Sequence, residues 1–427
     1  VLHDLFQCCG PKPIADAVRE RPTSRYRRKM GFFYEWLTQE KLESELEIGG
    51  NYTPALPDQH YWTSPQPIRN RRWRVWDNLL GIPSYCPVIR RTAALETSLQ
   101  EPLQTELQGL VAEYPAWLFE RANHYLYLKE TRSTYAIEHE EAPQAGRAER
   151  FVRLLREAGY GELQERLSET ALAEMQRTIV DPRYADEGFR ESQNYVGELR
   201  PDFTSRIHYI APPPAWVPGM MAGLATAATR SSGLPAILRA ALVAFGFDFI
   251  HPFEDGNGRI HRFLIHDLLH RDGFVAPGIM LPVSATMLRQ MQAYDAALET
   301  YSRPLTEVMA EYTLGNDGQL TLHNPEFVEP YFRYPDLTRQ AEYLATTVAQ
   351  TVREDMVEEL SFLQSYNAAR EAILDVVDMP DRRLNLLLRL LHQNHGRLSI
   401  NKRERFAELS DREIAKIETA FGRAFDV

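Results

Sequence analysis

Lysine is scarce in this 427-residue chain: six of its 48 basic residues are lysines and the other 42 are arginines. Such a skew reads as base-composition bias and not as a functional signal. Cysteine is scarcer still. Cys8, Cys9 and Cys86 are the only three, two of them adjacent, and no C-x2-C pair occurs. That argues against a disulfide framework or structural zinc and fits a reducing, cytoplasmic compartment. Long apolar runs are missing as well. The most apolar stretch, Leu234 to Ile250, is broken by Arg239 and Asp248 and is short for a membrane span, so no membrane partner is expected. It reads as a buried helix that delivers the chain to His251. At the N-terminus no basic segment leads into an apolar run and a small-residue cleavage site, so no signal peptide is expected. Positive charge is not in excess: the formal net charge is −11, which makes nucleic acid a poor general partner. No internal repeat or low-complexity segment is visible.

What the chain does have is concentrated in twelve residues, His251-Pro-Phe-Glu-Asp-Gly-Asn-Gly-Arg-Ile-His-Arg262. Gly256 and Gly258 permit backbone conformations that bulkier residues resist. Successive N–H groups in such a turn can form an anion nest. Ile260, Phe263, Leu264 and Leu268 follow at near-helical spacing, so the turn opens a helix, and a helix N-terminus favours phosphate. Arg259 and Arg262 are three apart, share a face, and carry guanidinium groups suited to phosphate oxygens. Asp255 is a hard oxygen ligand suited to Mg²⁺ held jointly with phosphates. His251 can take a proton near neutral pH. Together these groups are equipment for holding a triphosphate and moving part of it.

This block resembles the signature of the Fic family: His-Pro-Phe, any residue, Asp or Glu, Gly-Asn-Gly-Arg, two residues, Arg. Every defined position matches. The resemblance implies an all-α fold with a Fic-type helical core that transfers AMP from ATP to a protein hydroxyl. It implies His251 as general base, Asp255 as the Mg²⁺ ligand, and the Gly256–Gly258 turn as the phosphate cradle. Asn257 would orient the phosphates, Arg259 and Arg262 would meet their outer part, and Phe253 would anchor the loop. Tyr294 and Leu298 resemble a Tyr-x-x-x-Leu element near the nucleobase, with Tyr294 as the adenine contact. An aromatic at helical spacing is also an ordinary core residue.

The rest of the chain supports a helical enzyme. Residues 1–94 read as an N-terminal accessory region, 95–315 as the catalytic domain and 316–427 as a helical C-terminal domain. Arg25, Arg27, Arg28 and Lys29 form a basic cluster before an expected helix at Gly31–Leu42. A solvated helix end explains that cluster more readily than phosphate contact does. Periodic apolar residues predict helices around Leu103–Val111, Phe119–Leu126, Phe151–Ala158 and Leu172–Ile179, and Asp181-Pro182 ends the last. Arg206, Ile207, His208, Tyr209 and Ile210 include β-formers, and Pro212-Pro213-Pro214 stops them. A short β-hairpin is expected there; a plain connector is the alternative. The family resemblance implies a flap at this place that holds a target peptide by strand addition. Beyond the motif, Met287, Met291, Tyr294 and Leu298 predict a helix. Further stripes at Leu344, Val348, Val352, Met356 and at Leu384, Leu387, Leu388, Leu391 follow. The C-terminal region is open to a degenerate winged helix or a dimerisation element.

Thr134-Tyr135-Ala136-Ile137-Glu138 is a second motif, on an expected helix near 133–141. It resembles the inhibitory helix of many Fic proteins: Ser or Thr, three residues, Glu, then Gly or Asn. The sixth position departs, since His139 stands where Gly or Asn is expected. A Glu138 carboxylate paired with Arg262 would withhold the guanidinium from ATP and repel the triphosphate. The alternative is an exposed glutamate in the acidic run Glu138, Glu140, Glu141.

These residues together predict an autoinhibited protein adenylyltransferase with ATP as substrate, Mg²⁺ as cofactor and a protein bearing a Tyr, Thr or Ser hydroxyl as partner. Self-modification and a homodimer are compatible with that reading. Rival readings are phosphate transfer or AMP removal on the same scaffold. Doc-type motifs carry Lys in place of the second glycine, and the intact Gly258 favours AMP transfer. A metallohydrolase built on His266 and His270 at i, i+4, with His261 nearby, is a second class. His266-Asp267-Leu268-Leu269-His270 lacks the zincin glutamate. A nucleic-acid-binding regulator built on the basic cluster or the C-terminal helices is a third.

Overall fold

A computed structural model describes residues 2–42, 46–140, 145–199, 205–315 and 317–426. The fold is all-α, with only short strands between helices. The chain forms two compact units, Val1–Pro102 with Leu128–Ala349, and Leu103–Tyr127 with Gln350–Val427.

The first unit begins with helices Leu2–Cys9, Pro11–Glu20 and Arg25–Thr38. The third starts six residues before the expected Gly31, so the basic cluster occupies its first turn. Arg28 is buried and donates to the Arg74 carbonyl at 2.9 Å, a structural contact. A small sheet follows, in which Val75–Asp77 pairs in parallel with Thr53–Pro54 and antiparallel with Ile68–Asn70. Strands of two or three residues are too short to show a period along the chain. The fully buried Trp73 packs over Gly31, where a Cβ would fall 2.2 Å from the indole.

The heart of this unit is the helix Ala236–Ile250 (the approach helix) against Asn257–Arg271 (the motif helix). Apolar on all sides, the approach helix is buried along nearly its whole length. Helices Ala145–Arg156, Glu169–Ile179 and Val217–Arg230 pack around the pair, with the end of the long helix Ala116–Ile137. The hairpin expected before the motif is present, Tyr195–Leu199 pairing antiparallel with Ser205–Ile210. A bulge between Val196 and Gly197 shifts its register.

In the second unit, Met356–Leu374, Asp381–Gln393 and Asp411–Phe425 close around Leu384, Leu388, Leu391, Ile417 and Phe421. Ser410 and Glu413 form a reciprocal capping box that starts the last helix. Among its described residues this unit has no strand. No helix among the described residues is long and apolar enough to cross a membrane.

Candidate active site

The approach helix ends at His251, whose backbone is left-handed at φ 51° and whose N–H still donates to the Phe247 carbonyl at 2.9 Å. Histidine is among the few non-glycine residues enriched in that conformation. The chain then turns through the buried Phe253. Asn257 locks this turn, accepting from the Phe253 N–H at 3.0 Å and donating to the Phe253 carbonyl at 2.8 Å. Both ends of its amide reach the loop, and one amide N–H remains for a ligand. Gly256 precedes the motif helix at φ 88°, and a Cβ there would also fall 2.9 Å from Val180. Only glycine meets both demands.

The imidazole of His251 sets Nδ1 3.2 Å from the Asp248 carbonyl. A carbonyl only accepts, so Nδ1 carries the proton and Nε2 keeps the lone pair. Burial pushes the imidazole down to about 4, and the Arg190 charge adds to this against Glu138 and Asp255. The ring is neutral at neutral pH. Burial, then the charge of Glu138, raises the Asp248 carboxyl to about 7.

Arg262 is fully buried on the motif helix and turns toward the long helix. Its Nη2 donates to Glu138 Oε1 at 2.7 Å and to the Thr134 carbonyl at 3.0 Å, and its Nε donates to the Thr134 hydroxyl. One turn further along, His266 Nε2 meets Glu130 Oε1 at 2.7 Å. Positions 130, 134 and 138 thus stand opposite 266, 262 and 258 as rungs four residues apart, the helical repeat on both sides. At the last rung a Cβ on Gly258 would lie 2.3 Å from Glu138 Oε1 and 3.3 Å from Arg262 Nη1. That Nη1 is buried with no hydrogen-bond partner among the described residues. An unsatisfied buried donor at a helix N-terminus is suited to an anion.

Glu138 lies just past the end of the long helix. Burial pushes its carboxyl up, but the Arg262 guanidinium outweighs that and holds it below its ordinary value. His139 follows at φ 59°. The departure from Gly or Asn at this position therefore falls on a left-handed residue, a conformation in which histidine is tolerated as asparagine is.

Arg259 shares the buried face but has different partners. Its Nη2 donates to Asp255 Oδ1 at 2.8 Å, its Nη1 to the Ile179 carbonyl at 3.3 Å, and its guanidinium lies 5.3 Å from the Tyr135 ring centre. Asp255 also accepts from the Gly256 N–H at 2.6 Å and stays half-exposed. Glu140 stands 3.3 Å from Arg147 and 3.7 Å from Arg259, while Glu141 lies outside the described residues.

Tyr294 is buried, its ring 6.3 Å from His261 and 5.9 Å from Tyr343. On the hairpin, Arg206 is exposed, and His208 sits 3.5 Å from Glu198. Ile207 is half-buried. Tyr209 points inward: its hydroxyl donates to the Phe249 carbonyl and its ring centre is 6.2 Å from that of His251. It anchors the hairpin, which leaves Arg206, Ile207 and His208 for any docking.

A segment that sequence reasoning passed over braces the turn from outside. Asp186 accepts from the Glu254 N–H at 3.0 Å, Asn194 donates to the Phe253 carbonyl at 3.1 Å, and Arg190 donates to the His251 carbonyl at 2.8 Å. These contacts end on backbone groups, which no side-chain pattern announces. Two histidines of the zinc reading have other neighbours. His266 pairs with Glu130, and His261 packs edge-on against Phe245 with ring centres 4.6 Å apart. Among the described residues no group of three or more His, Cys, Asp or Glu is placed to hold a metal.

Residues 166–269 match the profile of the Fic/DOC family. Among solved structures, a Fic family protein from Desulfovibrio desulfuricans G20 is 18% identical, with 71% of this chain and 88% of that chain covered at a TM-score of 0.43. A Fic domain containing signaling protein from Bacteroides thetaiotaomicron VPI-5482 is also 18% identical, with 64% and 97% covered at a TM-score of 0.42. No curated protein matches the chain. With the complete His251–Arg262 signature inside the matched residues, the chain carries a Fic-family domain.

Proposed function

We propose that this protein transfers AMP from ATP to a Tyr, Thr or Ser hydroxyl of a target protein, and that Glu138 restrains it. The observation that carries the reading is the idle, buried Nη1 of Arg262 beside Gly258 at the N-terminus of the motif helix. A triphosphate placed there gains the helix N–H groups and a guanidinium donor. A hydroxyl aligned with the α-phosphorus gives its proton to Nε2 of His251 as the new O–P bond forms and pyrophosphate leaves. The helix N-terminus stabilises the charge that develops on the phosphoryl oxygens. Asp255 suits Mg²⁺, because its carboxylate is half-exposed at the mouth of the same turn. When bound, that ion supplies neutralisation of phosphate charge.

Glu138 acts against this arrangement. Its carboxylate takes Nη2 of Arg262 and stands over Gly258, so ATP must bind without that donor and beside a negative charge. Exposed Arg206 and half-buried Ile207 and His208 offer the hairpin edge to an extended target segment.

The test is incubation with ATP labelled separately in the α- and γ-phosphates, together with a protein lysate, followed by mass spectrometry of labelled peptides. AMP on a hydroxyl side chain, carrying the α label, is expected. Transfer of the γ label alone would replace this reading with phosphate transfer.

A further inference from the structure

Arg190 is almost fully buried, and its three hydrogen-bonding nitrogens reach backbone carbonyls in three separate places. Nε donates to His251 at 2.8 Å, Nη1 to Ser192 at 2.7 Å and Nη2 to Pro212 at 2.5 Å. Its own N–H donates to the Pro252 carbonyl at 2.9 Å. Among the described residues no carboxylate is hydrogen-bonded to it. A buried charge held by carbonyls, with Glu254 acting on it only from beyond hydrogen-bonding reach, is costly, and the cost points to a task that a neutral side chain does not perform. Ser192 and Pro212 flank the two strands of the hairpin, and His251 and Pro252 form the catalytic turn. Neighbouring contacts join the same parts: Gln193 donates to the Ala211 carbonyl at 2.6 Å, and Asn194 to the Glu254 carbonyl at 3.2 Å.

We propose that Arg190 is a positioning residue that ties the base of the flap to His251 and fixes the direction of its imidazole. The clamp acts on the carbonyl of a residue held in a left-handed conformation, so it resists the backbone rotation that would swing the ring away. A target strand that settles on the hairpin would tighten the same three-way junction, and the base would be best presented when the flap is occupied. The charged groups that act on the imidazole are Arg190, Glu138 and Asp255; the Asp248 carbonyl holds Nδ1, and the Tyr209 ring covers one side. Of the three charges only Arg190 is positive, so its presence also favours the neutral ring.

The role of Arg190 rests on His251 being the base, and the experiment separates the two. Arg190→Gln and Arg190→Lys are made in the full chain carrying Glu138→Gly, and kcat, KM for ATP and the His251 imidazole titration by NMR are measured for each. Arg190→Gln is expected to lower kcat about 100-fold, the scale of an ångström-sized misplacement, with KM for ATP within about twofold. Its imidazole titrates at higher pH than the parent's. Arg190→Lys keeps the charge but cannot span three carbonyls, so its kcat stays low while its imidazole titrates near the parent value. A folded Arg190→Lys with parental kcat overturns the proposal. So does a rate loss in Arg190→Gln matched by equal loss of ATP binding with an unmoved imidazole. If the parent shows no AMP transfer, the proposed activity is wrong, and the NMR titration alone decides whether Arg190 acts on His251.

Discussion

Arg262 and Glu138 are 124 positions apart in the chain and meet at 2.7 Å, guanidinium Nη2 to carboxylate Oε1. The contact is one rung of a longer ladder. Thr134 holds the same guanidinium from one side, and Glu130 with His266 and Ser284 pins the next turn. Glu138 therefore stands at the end of a helix fixed by buried contacts, over Gly258 in the first turn of the motif helix. In the proposed mechanism a carboxylate there and a bound phosphate would compete for one guanidinium.

Replacing Glu138 by Gly should accelerate AMP transfer at saturating ATP. A gain of at least tenfold is expected, equivalent to about 1.4 kcal/mol of barrier. The gain should vanish when Arg262→Ala is added, because the freed guanidinium is its cause. Glu140 is not a neutral comparison, since it faces Arg147 and Arg259. The exposed Glu149, changed to Gln, is the better control and should leave the rate unchanged. Labelling rates on one target protein check all three variants.

Gly258→Ala should be costly in the wild-type chain and mild once Glu138 is gone. The new Cβ would fall 2.3 Å from Glu138 Oε1, so the carboxylate must move and its ion pair with Arg262 loosens. Overpacking of this kind costs about 1–3 kcal/mol. A double-mutant cycle with Glu138→Gly, followed by denaturant unfolding, should return a coupling energy of that order. Simple additivity would mean that the two groups do not touch.

His251→Ala should abolish transfer and leave ATP affinity nearly unchanged, because the imidazole acts on the hydroxyl and not on the triphosphate. Asp255→Ala should instead weaken nucleotide binding in the presence of Mg²⁺. Calorimetric titration with ATP, with and without Mg²⁺, distinguishes the two losses.

Mild acid should destabilise the protein through its buried histidines. Burial pushes His251 and His270 down to about 4 and His261 to about 3, from an ordinary 6.5. Above 6.5 these rings are neutral whether the chain is folded or not, and stability does not depend on them. As pH falls below that value the unfolded chain takes up protons that the folded chain refuses, so stability declines toward pH 4. Asp248 works the other way, since its raised carboxyl is protonated first in the folded chain. Below pH 6.5 the three imidazoles outweigh it, so thermal midpoints should fall between pH 6.5 and 4.5, and His261→Phe should reduce the slope.

Much of the site is legible along the chain because its parts are neighbours. The turn from His251 to Arg262 is local: a base at a helix end, a glycine turn, and arginines on the next helix need only helical geometry to converge. The partnership of Thr134 and Glu138 with Arg262 is legible only through the resemblance to an inhibitory helix; in the fold the two helices mesh at a four-residue repeat. The parts that escaped are those whose partners are backbone atoms. Arg190 looks like any arginine in a loop until the His251, Ser192 and Pro212 carbonyls are seen around it. That Asn257 locks the turn through the Phe253 N–H and carbonyl is likewise invisible until the fold is seen. Tyr209 belongs to a docking strand by its position and to the core by its contacts. Residue order specifies which groups lie within a few turns of each other. Which carbonyl a buried donor reaches, and which side of a strand is covered, depends on packing between segments far apart in the chain, and only the folded molecule decides it.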